Sequence, residues 1–159
     1  MRVRVVVADL SEARFYDTSG LNAPLQLVGT FTDPKARLHE RDLVSDRPGR
    51  VFDHAAPARG RRGSVAHHGT NGDRSARRHE TETFARHVTR ALHVALRENQ
   101  IDRIVLMAAP AFLGMLREIA PPAVKAAVVA EVRKDLVHQS ERVLQDHLPP
   151  KAFAGLTTG

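Results

Sequence analysis

The sequence has no cysteine and no tryptophan, and aromatic residues make up only 4% of it. Without cysteine, disulfides, thiolate metal centres and cysteine nucleophiles are excluded, which fits a reducing compartment. Scarce aromatics leave the core to Val, Leu, Ile and Ala. Long apolar runs are missing too. The opening "MRVRVVVADL" is cut short by Asp9 and Glu12 before a signal-peptide core or membrane span can form, and the later candidate is interrupted by Arg103 and Pro110. The expectation is a soluble, cytoplasmic protein with no membrane contact.

Recognisable catalytic patterns are equally sparse. There is no G-x-S-x-G elbow, Walker loop or G-x-G-x-x-G, and Ser11, Ser19, Ser45 and Ser64 stand in no local pattern that names a base. His67, His68, His79 and His87 match no zinc spacing, so solvated imidazoles and no metal are expected. No cofactor is implied, and whether the protein is an enzyme stays open.

What is present is one domain's worth of chain, 159 residues, with a formal charge of +6. The charge is unevenly spread. Between Ser45 and His79 lie Arg47, Arg50, Arg59, Arg61, Arg62, Arg74, Arg77 and Arg78, against only Asp46, Asp53 and Asp73. Positive potential of this kind attracts phosphate-rich partners, RNA above all. The alternative is a solvated loop in a chain that simply favours arginine, with 20 Arg to 4 Lys.

The β-branched run Val3 to Ala8 predicts a strand covered on both faces. "ARFYDT" and "LQLVGTFT", separated by the turn chemistry of "SGLNAP", predict two more strands in antiparallel order. "DPKARLHERDL" reads as a short helix with Asp33 as N-cap and Pro34 in its first turn. A long arginine-rich loop is expected at about 45–76, with 55–73 mobile, because its glycine content and absent apolar periodicity offer no packing face.

Periodicity returns at Phe84, Val88, Ala91, Leu92, Ala95 and Leu96, one face of a helix with Glu80 and Glu82 near its start. "IDRIVLMAAP" predicts a buried strand stopped by Pro110, "AFLGMLREIA" a helix ended by Pro121 and Pro122, "VKAAVVAEV" a last strand, and "SERVLQDHL" a final helix capped by Ser140. The order β-β-β-α-β-α-β-α predicts a single α/β domain with an RNase H-like mixed sheet flanked by helices. A two-metal nuclease on such a sheet needs convergent carboxylates at the strand ends. Asp9 closes the first strand, but the fourth ends in Met107, Ala108, Ala109 and Pro110, so Asp9 is expected to cap a strand end or anchor a loop.

Within "DLVSDRPGRVFDH", Pro48 restricts one dihedral and Gly49 permits a positive one, so the turn can hold Arg47 and Arg50 in a defined relation while Asp46 orients one of them. Two readings stand: a grip on an anion, or a clasp that pins the loop to the domain. "FLGMLR" reads as core spacing for Phe112, Leu113 and Leu116, with Gly114 allowing a close helix-to-sheet approach.

Together "VVVADLSEARFYD", "DLVSDRPGRVFDH", "ETFARHVTRAL", "IVLMAAPAFLGMLRE" and "VRKDLVHQS" resemble the bacterial host attachment protein family, over about Val3 to Leu148. The positions that carry the likeness are Asp9, Arg14, Phe15, Asp46, Arg47, Pro48, Gly49, Arg50, Pro110, Phe112, Leu113, Gly114, Leu116, Arg117, Lys134 and Asp135. Ala109 and Ala111 stand where the family tends to carry Pro and Arg, which leaves Arg117 to supply any anion contact there. The family is in turn similar to the central domain of archaeal and eukaryotic release factors and of Pelota. That likeness implies RNA, tRNA or ribosomes as partners, but Gln26, Gln100, Gln139 and Gln145 all lack the preceding Gly-Gly of the release-factor tripeptide.

The leading expectation is a non-enzymatic binding or regulatory protein using Asp46, Arg47, Gly49, Arg50, Arg59, Arg61, Arg62 and Arg117. The alternatives are a hydrolase of an RNA or tRNA ester around Asp9, Asp46 and Arg50, and a factor serving attachment through a protein partner.

Overall fold

A computed structural model describes residues 1–33 and 59–156, the stretch 59–73 in backbone only. Three strands come first: β1 (Val3–Ala8), β2 (Glu12–Thr18) and β3 (Gln26–Thr32). A long helix α1 (Arg59–Arg97) leads to β4 (Arg103–Met107), then to α2 (Pro110–Ile119) and α3 (Pro122–Ala127). The chain continues through β5 (Val128–Val132), α4 (Glu141–Asp146) and a 3-10 turn at Pro150–Phe153.

The five strands form one mixed sheet in the order β3-β2-β1-β4-β5. β1 pairs antiparallel with β2, and β2 with β3, as the short connections dictate. β1 pairs parallel with β4, and β4 with β5, each through a helical crossover.

The near-continuous valines of β1 reflect its central position. Val6 and Ala8 join a core with Phe84, Val88 and Leu92 of α1 and with Phe112, Leu113 and Leu116 of α2. Val3, Val5 and Val7 join a second core with Leu136, Leu144, Leu148 and Phe153. A strand buried on both faces has no use for alternation. The rings of Phe84 and Phe112 stack at 6.1 Å, locking α1 to α2. α1 ends in a Schellman arrangement: Gln100 N donates to Ala95 O and Asn99 N to Leu96 O, with Asn99 at a positive φ of 57°. Ser140 caps α4 as expected, its hydroxyl accepting from Val143 N at 3.3 Å.

Three expectations change. The segment 59–76, expected as part of a loop, is the first half of α1, so Glu80 and Glu82 lie mid-helix rather than at a helix start. Arginine and alanine are good helix formers, and extending a helix already anchored at Phe84 to Ala95 requires no new nucleation, which outweighs the scattered glycines. "VKAAVVAEV" divides: Val124 to Ala127 belong to α3, and the strand begins at Val128. Pro121 and Pro122 start a new helical turn as well as ending the previous one, because proline suits a first helical position. The expected helix opened by Asp33, together with positions 45–58 of the expected loop, falls outside the described residues.

Candidate functional site

The carboxyl ends of β1, β4 and β5 and the β1–β2 turn share one end of the sheet. In open α/β sheets this is the end that presents loops to ligands. Asp9 organises it. Its Oδ1 accepts from Ser11 N at 2.8 Å, Glu12 N at 2.7 Å and Ser11 Oγ at 3.2 Å. Asp9 N donates in return to Glu12 O at 2.9 Å.

The turn between them is only Leu10 and Ser11, yet neither has the positive φ that the usual two-residue hairpin turns require. The aspartate side chain therefore supplies the acceptor that closes the hairpin. Asp9 is thus the loop-anchoring acceptor expected of it. The next contact extends the arrangement to β3, where Asp33 N donates to Ser11 O at 2.7 Å.

Around this turn gather charges from three parts of the chain. Arg14 Nη2 lies 3.6 Å from Glu12 Oε2, with Glu12 buried in the sheet end. His138, exposed in the β5–α4 connection, places Nε2 3.8 Å from Asp9 Oδ2 and Nδ1 3.7 Å from Glu12 Oε2. These separations exceed hydrogen-bond length, so the imidazole sits over the two carboxylates as an electrostatic neighbour. Sequence reasoning passed over Glu12 and His138. The usable signal was that "VRKDLVHQS" follows the last parallel strand and so had to lie beside the end of the first. Lys134 and Asp135 are exposed in the same connection, Asp135 Oδ1 accepting weakly from Val137 N at 3.4 Å. Among the described residues no group of three or more metal-ligating side chains converges.

The remaining expected positions fall elsewhere. Asp46, Arg47, Pro48, Gly49 and Arg50 lie outside the described residues. Arg59, Arg61 and Arg62 occupy the first turn of α1, a helix of 39 residues and so about 58 Å long. Among the described side chains of α1, from Arg74 onward, the first buried one is Phe84, and Arg74, Arg77 and Arg78 are exposed, Arg78 Nε donating to Glu82 Oε1 at 3.3 Å. α1 ends at Arg97 and leads into β4 from the sheet's opposite end, where Arg2 N donates to Asp102 Oδ2 at 2.8 Å. Its basic half therefore extends past the sheet end that carries Asp9. His79 and His87 are exposed on α1.

Arg117 is far from free. Its Nε donates to Glu131 Oε1 at 2.9 Å and its Nη2 donates to Glu131 Oε2, a bidentate link from α2 to β5. The hydrogen bond and charge of Glu131 raise the guanidinium pKa, and the same hydrogen bond lowers that of the carboxyl. Gly114 does not serve close packing: a Cβ there would meet nothing within 4 Å. The helix-to-sheet contact is made by Phe112, Leu113 and Leu116 instead.

No curated protein matches the chain. A family model described as "Protein required for attachment to host cells" matches residues 4–148. With nearly its whole length matched, the chain belongs to the host attachment family.

Proposed function

We propose that this host attachment protein is a cytoplasmic, non-enzymatic RNA-binding protein, acting on RNA, tRNA or ribosomes through the basic half of α1. The observation that carries the reading is the placement of its arginines. From Arg59 to Arg78 six arginines face a single carboxylate, Asp73, on a helix whose described side chains in this half are exposed. A run of guanidinium-bearing residues along a helix suits phosphate contacts spaced along a nucleic-acid strand. No helix among the described residues is long and apolar enough to cross a membrane. Attachment to host cells would then depend on the protein indirectly, through regulation inside the cell.

The sheet order and the antiparallel β1–β2–β3 meander support an RNase H-like layout, and with it the likeness to the central domain of release factors and Pelota. The hydrolase reading has less behind it. Asp9 Oδ1 is committed to two backbone N–H groups and a hydroxyl, which suits a structural acceptor better than a general base. The test is fractionation of a tagged protein on a sucrose gradient. Co-sedimentation with ribosomal particles that is lost at high salt is expected; a protein that stays at the top of the gradient at low salt, and binds no free RNA, contradicts the proposal.

A further inference from the structure

On the α1 side of the sheet, the outer corner near β5 is incompletely filled. Among the described residues α1, α2, α3, β4 and β5 leave a cavity of about 220 Å³. Its walls are mainly aliphatic, built from Leu92, Leu106, Leu116, Ala120, Val124 and Val128 with Thr89 beside them. Protein interiors ordinarily close such spaces, because side chains lining a void lose dispersion contacts on one side.

Three charged residues line the same cavity: Arg117, Lys125 and Glu131. The first and last neutralise each other through their bidentate link. The mutual pKa shifts, raised for Arg117 and lowered for Glu131, keep both ionised through the neutral range. Lys125 is exposed and makes no ion pair among the described residues, so the cavity carries one uncompensated positive charge.

We propose that this cavity binds a small amphipathic monocarboxylate, with its alkyl chain between Leu92, Leu106, Leu116 and Val128 and its carboxylate at Lys125. The apolar part of the lining offers a polar ligand only desolvation, and the Thr89 hydroxyl beside it is already donated to Ala85 O. A chain of methylenes gains in proportion to the apolar surface it removes from water. The volume corresponds to roughly seven water volumes at about 30 Å³ each, which suits a chain of about six to eight carbons. A single excess cation matches a monoanion better than a phosphate dianion. This site is independent of the basic half of α1, so either can fail without the other.

The test is calorimetric titration of the full chain with butyrate, hexanoate, octanoate, dodecanoate and 1-octanol, with methyl NMR to locate the contact. Affinity should rise about fourfold per added methylene up to octanoate and then level off, because a longer chain outgrows the cavity. Methyl shifts should concentrate at Leu92, Leu116, Val124 and Val128. Lys125→Gln should weaken octanoate about threefold and leave 1-octanol unchanged. Val128→Phe should abolish binding by filling the space, and Ala120→Leu serves the same purpose should the larger ring unfold the protein. Failure of octanoate to bind at millimolar concentration overturns the proposal. So does affinity that keeps climbing to dodecanoate, or that survives both filling variants in folded protein, since either marks a non-specific surface.

Discussion

Replacing Asp9 by alanine tests the structural role assigned to it. The carboxylate oxygen Oδ1 accepts from two backbone N–H groups and one hydroxyl, and Ser11 and Glu12, which carry those donors, are each only 6% exposed. Water can therefore replace the lost acceptor only in part. Hydrogen bonds to a charged group contribute about 1.5–3 kcal/mol each when taken singly, but the three share one atom and are not additive. A net loss of about 2–3 kcal/mol follows, which in a chain of this size lowers Tm by roughly 5–10 °C. Asp9→Asn keeps an acceptor oxygen in the same place and should cost only about 1 kcal/mol. Urea unfolding followed by far-UV circular dichroism measures both. An alanine variant within about 0.5 kcal/mol of wild type would refute the account of the turn. Asparagine and alanine variants of equal stability would do so as well, because the argument rests on the acceptor and not on the charge.

Other expectations concern the rest of the domain. Arg4 and Asp17 pair across β1 and β2 through two hydrogen bonds of 2.8 and 3.0 Å with both side chains nearly buried, so Arg4→Met alone should cost about 3 kcal/mol while Arg4→Met with Asp17→Leu costs less, as urea midpoints will show. Leu92→Ala, at a fully buried position in the C-terminal part of α1, should destabilise by about 2–5 kcal/mol on the same assay. The Glu131 carboxyl has a folded pKa below its unfolded value, owing first to the hydrogen bond from Arg117. Its contribution is therefore present above the unfolded pKa and lost as pH falls through the folded one, so the stability gap between wild type and Glu131→Gln should close in acid and be unchanged between neutral and mildly alkaline pH. A gap that widens in acid would contradict the pairing with Arg117.

Much of this fold is legible in sequence because its elements have distinct periods. The valine run of β1, the seam from Phe84 to Leu96 and the proline stops at Pro110 and Pro121 each correspond to an observed boundary or buried face. The start of α1 is illegible for the opposite reason: the sequence of residues 59–76 carries no apolar period, so only helix propensity and continuity with the anchored part mark them. "KAAVVAEV" suits helix or strand equally, and the division at Val128 is set by pairing with Ile104 of β4. Asp9 was readable as a strand-end acceptor because it closes an apolar run. Its meeting with His138 was not, since it depends on the parallel crossovers that bring the β5–α4 connection to the end of β1. Arg117 looked like a free cation from its place after a helical core pattern, whereas its partner Glu131 comes from a strand whose register is set by tertiary pairing.

The most direct test of RNA binding through α1 is the salt dependence of affinity for single-stranded RNA, measured by fluorescence anisotropy on wild type and on the combined Arg59→Ala, Arg61→Ala, Arg62→Ala variant. Each phosphate contact contributes about 0.7 to the slope of log affinity against log salt, so losing three contacts should flatten that slope by about two. The variant should melt close to wild type, since alanine and arginine are both good helix formers. An unchanged slope in the variant, or no binding by the wild type at low salt where such contacts are strongest, would contradict the assignment of RNA binding to the first turns of α1.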